Sequence, residues 1–489
     1  MKKKFLKIVS FLLVFALTIT AYMTALDFKY LDSVFKFDAF YELPENSVDV
    51  LVLGSSHAYQ GVNTAVLWKE YGYSAFNLCG AAQPIWNTYY YLEEALKTQT
   101  PKVIILDIYS MHYSTEYGEV SFAIKNTYGM KWSDTKREAI EVSFDHSQTG
   151  IQYYIEALQY HSRYSDLNKT DFYPYQANRK MYENHKGFYC YFRTEAVKER
   201  DLNTVEYFNE VTEKCLLYYS MILDLAESKG IPVIVTAIPF DAENYHQGIF
   251  NTVELVTAEK NNVAFINFLT DYKDDVAIDY EKDFADKQHL NFRGNTKVTK
   301  FFGEYIKEHY NVPDNRGNEY YISWDKDAEV YYNQLENYLV TTKQSLGDYI
   351  SVLHNKRYTT VISLSSTDMK SLPAKNTSVG KALLNTIAPG FEGNTGVWII
   401  EDSSVLYSCD ETKSGYSKSY NLGKTDGVLV KSVEKVFEDG TPITVNEIYF
   451  NKQKKSLTDH GMNILVYDNF TQTLVDVVCI DFGTGKFRR

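Results

Sequence analysis

The sequence is poor in cysteine, in positive charge and in repetition. Five cysteines (Cys79, Cys190, Cys215, Cys409 and Cys479) are scattered along 489 residues, an odd number with no C-x-x-C pair. That spacing offers no zinc site and no legible disulfide framework. Small buried thiols are expected, with one or two bridges left open outside the cell. Against 63 Asp and Glu stand 50 Lys and Arg, a net charge of −13. This argues against nucleic acid as a partner, because binding it needs basic surface to replace counterions. There is no internal repeat or low-complexity tract, and 45% hydrophobic with 23% charged residues is an ordinary globular composition. The length allows two or three domains, since single cores rarely grow beyond roughly 250–300 residues.

One hydrophobic run is long. Lys2, Lys3, Lys4 and Lys7 precede 19 uncharged residues from Ile8 to Leu26. At 1.5 Å each these rise roughly 28 Å, about the thickness of a bilayer's hydrocarbon core. The lysines are expected to stay in the cytoplasm and place everything after Leu26 outside. A cleaved signal peptide is the alternative, but no good pair of small residues marks a cleavage site: Met23 stands two before Ala25, and Ile19 two before Ala21. Residues 1–30 are therefore read as cytoplasmic lysines and an uncleaved transmembrane helix.

Beyond a polar-aromatic spacer, Val48–Leu53 reads as a fully buried strand ended by Gly54-Ser55-Ser56. A helix over Thr64–Tyr71, a strand Ser74–Leu78 running into Cys79-Gly80, a helix Trp86–Lys97 and a strand Val103–Ile108 follow. This alternation implies a parallel sheet covered on both faces. A long aromatic-rich insertion breaks the pattern at about 110–204. Regularity returns with a helix near Glu206–Lys229, strands Val233–Ala237 and Val263–Ile266, and a helix from the N-cap Asn291 to about Glu308. A helical connector is expected at about 325–355. From 356 to 489 the period becomes alternation, with strands at Thr359–Leu364, Gly396–Glu401, Gly427–Val433, Ile443–Phe450 and Met462–Tyr467, so a separate β-rich domain is expected.

Two short segments carry chemistry. Ser56 stands just past the carboxyl end of a buried strand, where parallel α/β folds build sites and a helix amino terminus can stabilise an oxyanion. Asp286-Lys-Gln-His289 lies ahead of the last α/β helix. A serine hydroxyl needs a base, histidine is best tuned for that near neutral pH, and a carboxylate three residues away can fix its tautomer. The serine comes near the first strand, and the Asp and His sit three apart before the last helix. This differs from the α/β-hydrolase elbow, whose pattern is G-x-S-x-G with the acid well upstream of the histidine.

This arrangement resembles the SGNH/GDSL hydrolase family. Gly54-Ser55-Ser56 matches its G-D-S block, with Ser55 in place of aspartate, and Asp286 and His289 match its D-x-x-H block. The resemblance covers about residues 45–310 and implies a flavodoxin-like three-layer α/β fold, an SGNH domain over 45–320. It also implies a catalytic triad of Ser56, Asp286 and His289. For the oxyanion hole it implies the amides of Ser56 and Gly80, and Gln83 is read as a further donor there. The family's third block supplies an asparagine, but the corresponding stretch here, Asp107-Ile-Tyr-Ser-Met-His112, has none. His57 is read as support or packing beside the nucleophile. His161 and Arg163 are read either as contacts to an anionic or sugar substrate or as ordering the insertion. Asp107 is a lone carboxylate at a strand end.

At the carboxyl terminus, Gly461-Met-Asn-Ile-Leu-Val-Tyr467-Asp468 and Val475–Phe482 resemble the interleukin-like EMT-inducer (ILEI) domain over about 356–484. Some members of that group bind carbohydrate. The extracytoplasmic branch of the SGNH superfamily, which the single anchor resembles, includes D-alanine transfer and polysaccharide O-acetylation proteins. The expected function is a membrane-anchored extracytoplasmic esterase or acyltransferase with an acyl-serine mechanism and no metal or organic cofactor. Its expected partners are a cell-envelope glycan or teichoic-acid-like polymer and a membrane acyltransferase. The alternative is an SGNH scaffold of weak catalysis that binds envelope sugars or a partner.

Overall fold

The computed structural model describes residues 2–26, 32–145, 150–167, 169–172, 185–367, 382–437 and 439–489; parts of the insertion (146–149, 168 and 173–184) lie outside them. The chain divides into two compact units, residues 1–331 and 332–489.

In the first unit, Lys2–Leu26 forms one helix, long and apolar enough to cross a membrane. Five strands follow: β1 Val50–Gly54, β2 Ala75–Cys79, β3 Val103–Asp107, β4 Val233–Ala237 and β5 Val263–Asn267. They pair in parallel in the order β2-β1-β3-β4-β5. That is the flavodoxin-like doubly wound order, whose direction of winding switches between β1 and β3 and opens a crevice at their carboxyl ends. Successive side chains of a strand face opposite sides. Val50, Val52, Ile105 and Ile234 share a core with Val298, Phe302 and Ile306 of helix Phe292–His309. Their neighbours Leu51, Leu53, Ile104 and Leu106 are equally buried, and helix Ile85–Ala95 packs on β1 and β2. A sheet covered on both faces explains why these strands read as continuous apolar runs.

Two departures from the sequence expectations have clear causes. The helix expected from Glu206 begins at Glu213. The preceding residues are held by other bonds: Asn251 Nδ2 donates to the carbonyls of Val205 (2.9 Å) and Tyr207 (3.0 Å), and the Asn209 amide donates to Gly248 O (2.9 Å). Thr212 then caps the helix, accepting from the Cys215 amide at 3.3 Å. The insertion is also more regular than its composition suggests. Helices Val120–Tyr128 and Asp134–Ser143 build a small core of Ala123, Ile124, Tyr128, Ile140 and Phe144. All five cysteines are free thiols.

The second unit contains β6 Tyr358–Ser365, β7 Thr395–Glu401, β8 Ser404–Asp410, β9 Ser417–Leu422, β10 Asp426–Val436, β11 Pro442–Phe450, β12 Gln453–Lys454, β13 Gly461–Asp468, β14 Thr473–Asp481 and β15 Phe487–Arg488. They form a six-stranded sheet, β15-β14-β13-β6-β7-β8, and a four-stranded sheet, β12-β11-β10-β9. Every strand pairing in the two sheets is antiparallel. Val361, Val397, Ile399 and Leu465 of the larger sheet meet Val428, Val430 and Ile448 of the smaller one in a shared core. The other face of the larger sheet packs on Leu346, Tyr349, Val352 and Leu353 of helix Leu346–Leu353. Arg357 joins the fully buried Asp468, its Nε donating to Oδ1 at 3.0 Å.

Candidate active site

The site begins where β1 ends. Gly54 has φ +139°, and a Cβ there would lie 3.0 Å from Asp107 Cβ and 3.1 Å from Ala58 Cβ, so the backbone needs glycine to turn this close to β3. Ser55 is the N-cap of the short helix Ser56–Gly61; its buried hydroxyl accepts from the His57 amide at 3.4 Å. Capping occupies Ser55 and leaves Ser56, the first helical residue, to face outward.

The partner of Ser56 arrives on the loop before helix Phe292–His309. Asn291 shapes that loop. Its Oδ1 accepts from the amides of Arg293 (2.9 Å) and Gly294 (3.4 Å), while its Nδ2 donates to the carbonyls of Lys282 (2.7 Å) and Phe284 (3.1 Å). One side chain thus caps the helix and closes residues 282–291 into a tight turn. On this turn His289 Nδ1 donates to Asp286 Oδ1 at 2.8 Å. That bond fixes the tautomer, so Nε2 carries the lone pair, and it receives the Ser56 hydroxyl at 2.9 Å. The amides of Gln288 and His289 also donate to Asp286 Oδ1, each at 3.0 Å.

Arg193 was not singled out from sequence. Its Nη2 lies 2.5 Å from Asp286 Oδ2, and its Nε donates to Ala285 O at 2.9 Å. The guanidinium lies over the Tyr191 ring at 4.6 Å, and Tyr191 meets the His289 ring edge-on. Burial pushes the Asp286 carboxyl up, but the Gln288 amide, His289 and Arg193 together hold it below its ordinary value. Burial also lowers His289, more than Asp286 raises it, so this imidazole is neutral and able to accept a proton near neutral pH.

Gly80 follows β2 directly, at the same end of the sheet. A Cβ there would come within 1.9 Å of Asn126 Oδ1 and 2.6 Å of Gln83 Oε1. Asn126, contributed by the insertion, is a second residue that sequence reasoning did not reach. Gln83 is buried and its Nε2 donates to Thr88 Oγ1 at 2.9 Å, so this amide is turned toward helix Ile85–Ala95.

His57 is buried against the site rather than bonded into it. Its ring stacks on Tyr109 with centroids 3.4 Å apart, meets Phe240 edge-on, and lies 5.2 Å from the His289 ring. Burial holds it well below its ordinary pKa, so it remains uncharged. Asp107 is buried behind Gly54, and burial pushes it up to about 7. The amides of Tyr109 and Ile238 lower it, though neither reaches it in full hydrogen-bond geometry. His161 is exposed, its Nδ1 2.7 Å from Leu158 O, and Arg163 is bonded to Asp171 and Leu26 O. Among the described residues no group of three or more His, Cys, Asp and Glu side chains could hold a metal ion.

Neither a family model nor a curated protein matches the chain. Among solved structures it is similar to a protein from Desulfitobacterium hafniense described as lipolytic and of the G-D-S-L family. That match has a TM-score of 0.28 and 10% identity, over 53% of this chain and 99% of the other. It is also similar to a protein from Bacteroides fragilis described as an acylhydrolase, with a TM-score of 0.28 and 13% identity over 55% and 93% of the two chains. At these values neither likeness carries an assignment.

Proposed function

We propose that the first unit is a serine-dependent ester hydrolase or O-acyltransferase of SGNH type. The observation that carries this reading is the unbroken relay from Ser56 Oγ to His289 Nε2 (2.9 Å) and from His289 Nδ1 to Asp286 Oδ1 (2.8 Å). His289 takes the Ser56 proton as Oγ attacks the ester carbonyl. The amides of Ser56 and Gly80 stabilise the oxyanion at the helix amino terminus. His289 returns the proton to the departing alkoxide, leaving an acyl-serine. Water then gives hydrolysis, and a sugar hydroxyl gives transfer. The helix Lys2–Leu26 is read as the anchor that holds this unit outside the membrane. The substrate class is an acetyl or alanyl ester of a cell-envelope polymer, and the second unit is read as an ILEI-type module for envelope sugars.

One observation favours a second reading, a scaffold of weak catalysis that binds sugars or a partner. Gln83 directs its amide at Thr88, the stretch Asp107–His112 after β3 has no asparagine, and the amide of Asn126 beside Gly80 donates to Ala81 O at 3.2 Å. Acyl release from isolated envelope polymers separates the two. Release by wild type that disappears in His289→Ala supports the enzyme, and equal release by both supports the scaffold.

A further inference from the structure

The helix Lys2–Leu26 exposes its apolar side chains all round, Phe5, Phe11, Leu13 and Phe15 among them, yet its last two residues, Ala25 and Leu26, are buried. They are covered by the insertion. Arg163 Nη1 donates to Leu26 O at 2.8 Å, and Arg163 Nη2 lies 2.5 Å from the carboxylate of the buried Asp171. A guanidinium is thus fixed at the helix's carboxyl end, where the last carbonyls lack partners and the dipole favours positive charge. The short helices Glu156–Gln159, His161–Ser165 and Lys169–Phe172 all pack near this point.

Around the same point the insertion leaves large apolar side chains uncovered. Trp132 is 62% exposed, Ile151 65%, Tyr164 67% and Phe172 59%, with Ile155 and Leu158 also exposed. They are not needed by the insertion's own core, which Ala123, Ile124, Tyr128, Ile140 and Phe144 fill. Trp132 is tied to the group through Tyr154, whose ring it meets edge-on at 6.4 Å. Aromatic rings and aliphatic side chains beside the exit of an apolar helix match the makeup of the membrane–water boundary, where Trp and Tyr concentrate.

We propose that this face of the insertion lies in the headgroup–acyl boundary of the bilayer that Lys2–Leu26 crosses, so that the first unit docks on the lipid surface instead of hanging from a free tether. The occupant is a lipid bilayer, because the patch is continuous with the apolar helix through the Arg163–Leu26 bond. The proposal rests on the anchor reading and is independent of the chemistry at Ser56.

Tryptophan emission tests it on the full chain reconstituted in phosphatidylcholine–phosphatidylglycerol vesicles. Four of the five tryptophans (Trp68, Trp86, Trp324 and Trp398) are buried, so Trp132 is the exposed reporter. Lipids brominated at shallow acyl positions should quench part of the emission, aqueous acrylamide should not reach that part, and the bromolipid-quenched fraction should be lost in Trp132→Phe. Protein that floats with the vesicles but keeps Trp132 open to acrylamide and untouched by bromolipid overturns the docking alone. Protein that does not float overturns the anchor reading and the docking with it. Ester hydrolysis by Trp132→Phe should equal wild type.

Discussion

Arg193 holds the Asp286 oxygen that His289 leaves free: its Nη2 is 2.5 Å from Oδ2, whereas His289 Nδ1 donates to Oδ1 at 2.8 Å. The carboxylate is therefore clamped from both sides, and the charge of Arg193 also helps keep His289 below its ordinary pKa. In wild type the acid limb of kcat/KM should fall below the usual imidazole value of about 6.5, because only neutral His289 can accept the Ser56 proton. In Arg193→Gln the loss of positive charge raises His289, so the limb moves to higher pH. Arg193 is largely exposed, and such a pair is worth up to about 1 kcal/mol, so the loss at pH 8 should be about fivefold or less and larger at pH 6. A variant whose pH profile overlays wild type would remove Arg193 from the site's electrostatics.

Asp107 predicts a pH-dependent penalty. Its folded value of about 7 lies above its unfolded one, so the folded state keeps a proton that the unfolded chain has already lost. The contribution of this group to stability is therefore full below the unfolded pKa, falls as pH rises, and is lost once pH passes the folded pKa. Asp107→Asn removes this titration. Between pH 5 and pH 8 wild type should lose about 2–3 kcal/mol relative to Asp107→Asn, read from denaturant midpoints in detergent. Parallel midpoints at the two pH values would contradict the assignment.

Gly80→Ala tests the oxyanion side. Its Cβ would come within 1.9 Å of Asn126 Oδ1 and 2.6 Å of Gln83 Oε1, both buried, so the backbone or these side chains must shift. Overpacking of this kind costs about 1–3 kcal/mol. Ester hydrolysis should fall by about 10²-fold in protein that still folds, the order seen when one oxyanion donor is removed. Unchanged turnover would rule out the Gly80 amide.

How much was legible varied with how local the cause was. β4 matched its expected span because Gly230 and Pro232 precede it and Pro239 follows. The helix after Asn291 began where its cap stood. Helix Asn244–Ala258 was missed, since it starts without Ser, Thr, Asp or Asn at the cap and carries Gly248 inside. Glu243 and His246 close its first turn instead, and Gly248 lets Asn209 approach, where a Cβ would meet Asn209 Nδ2 at 2.7 Å. β8 and β9 were missed because they are edge strands without a clear apolar alternation: Val405, Leu406 and Tyr407 run together in β8, and the first half of β9 is polar. At the site, Ser56, Asp286 and His289 stood in short segments whose spacing carried meaning. Arg193 and Asn126 lie in the insertion, and only the fold brings them to Asp286 and Gly80.

The most direct test of the account is covalent labelling with a fluorophosphonate, which needs an activated serine and nothing else from the substrate. Wild type should label, Ser55→Ala should retain labelling because Ser55 only caps the helix, and Ser56→Ala and His289→Ala should lose it. Labelling that survives Ser56→Ala, or folded wild type that never labels, would contradict a serine-dependent site.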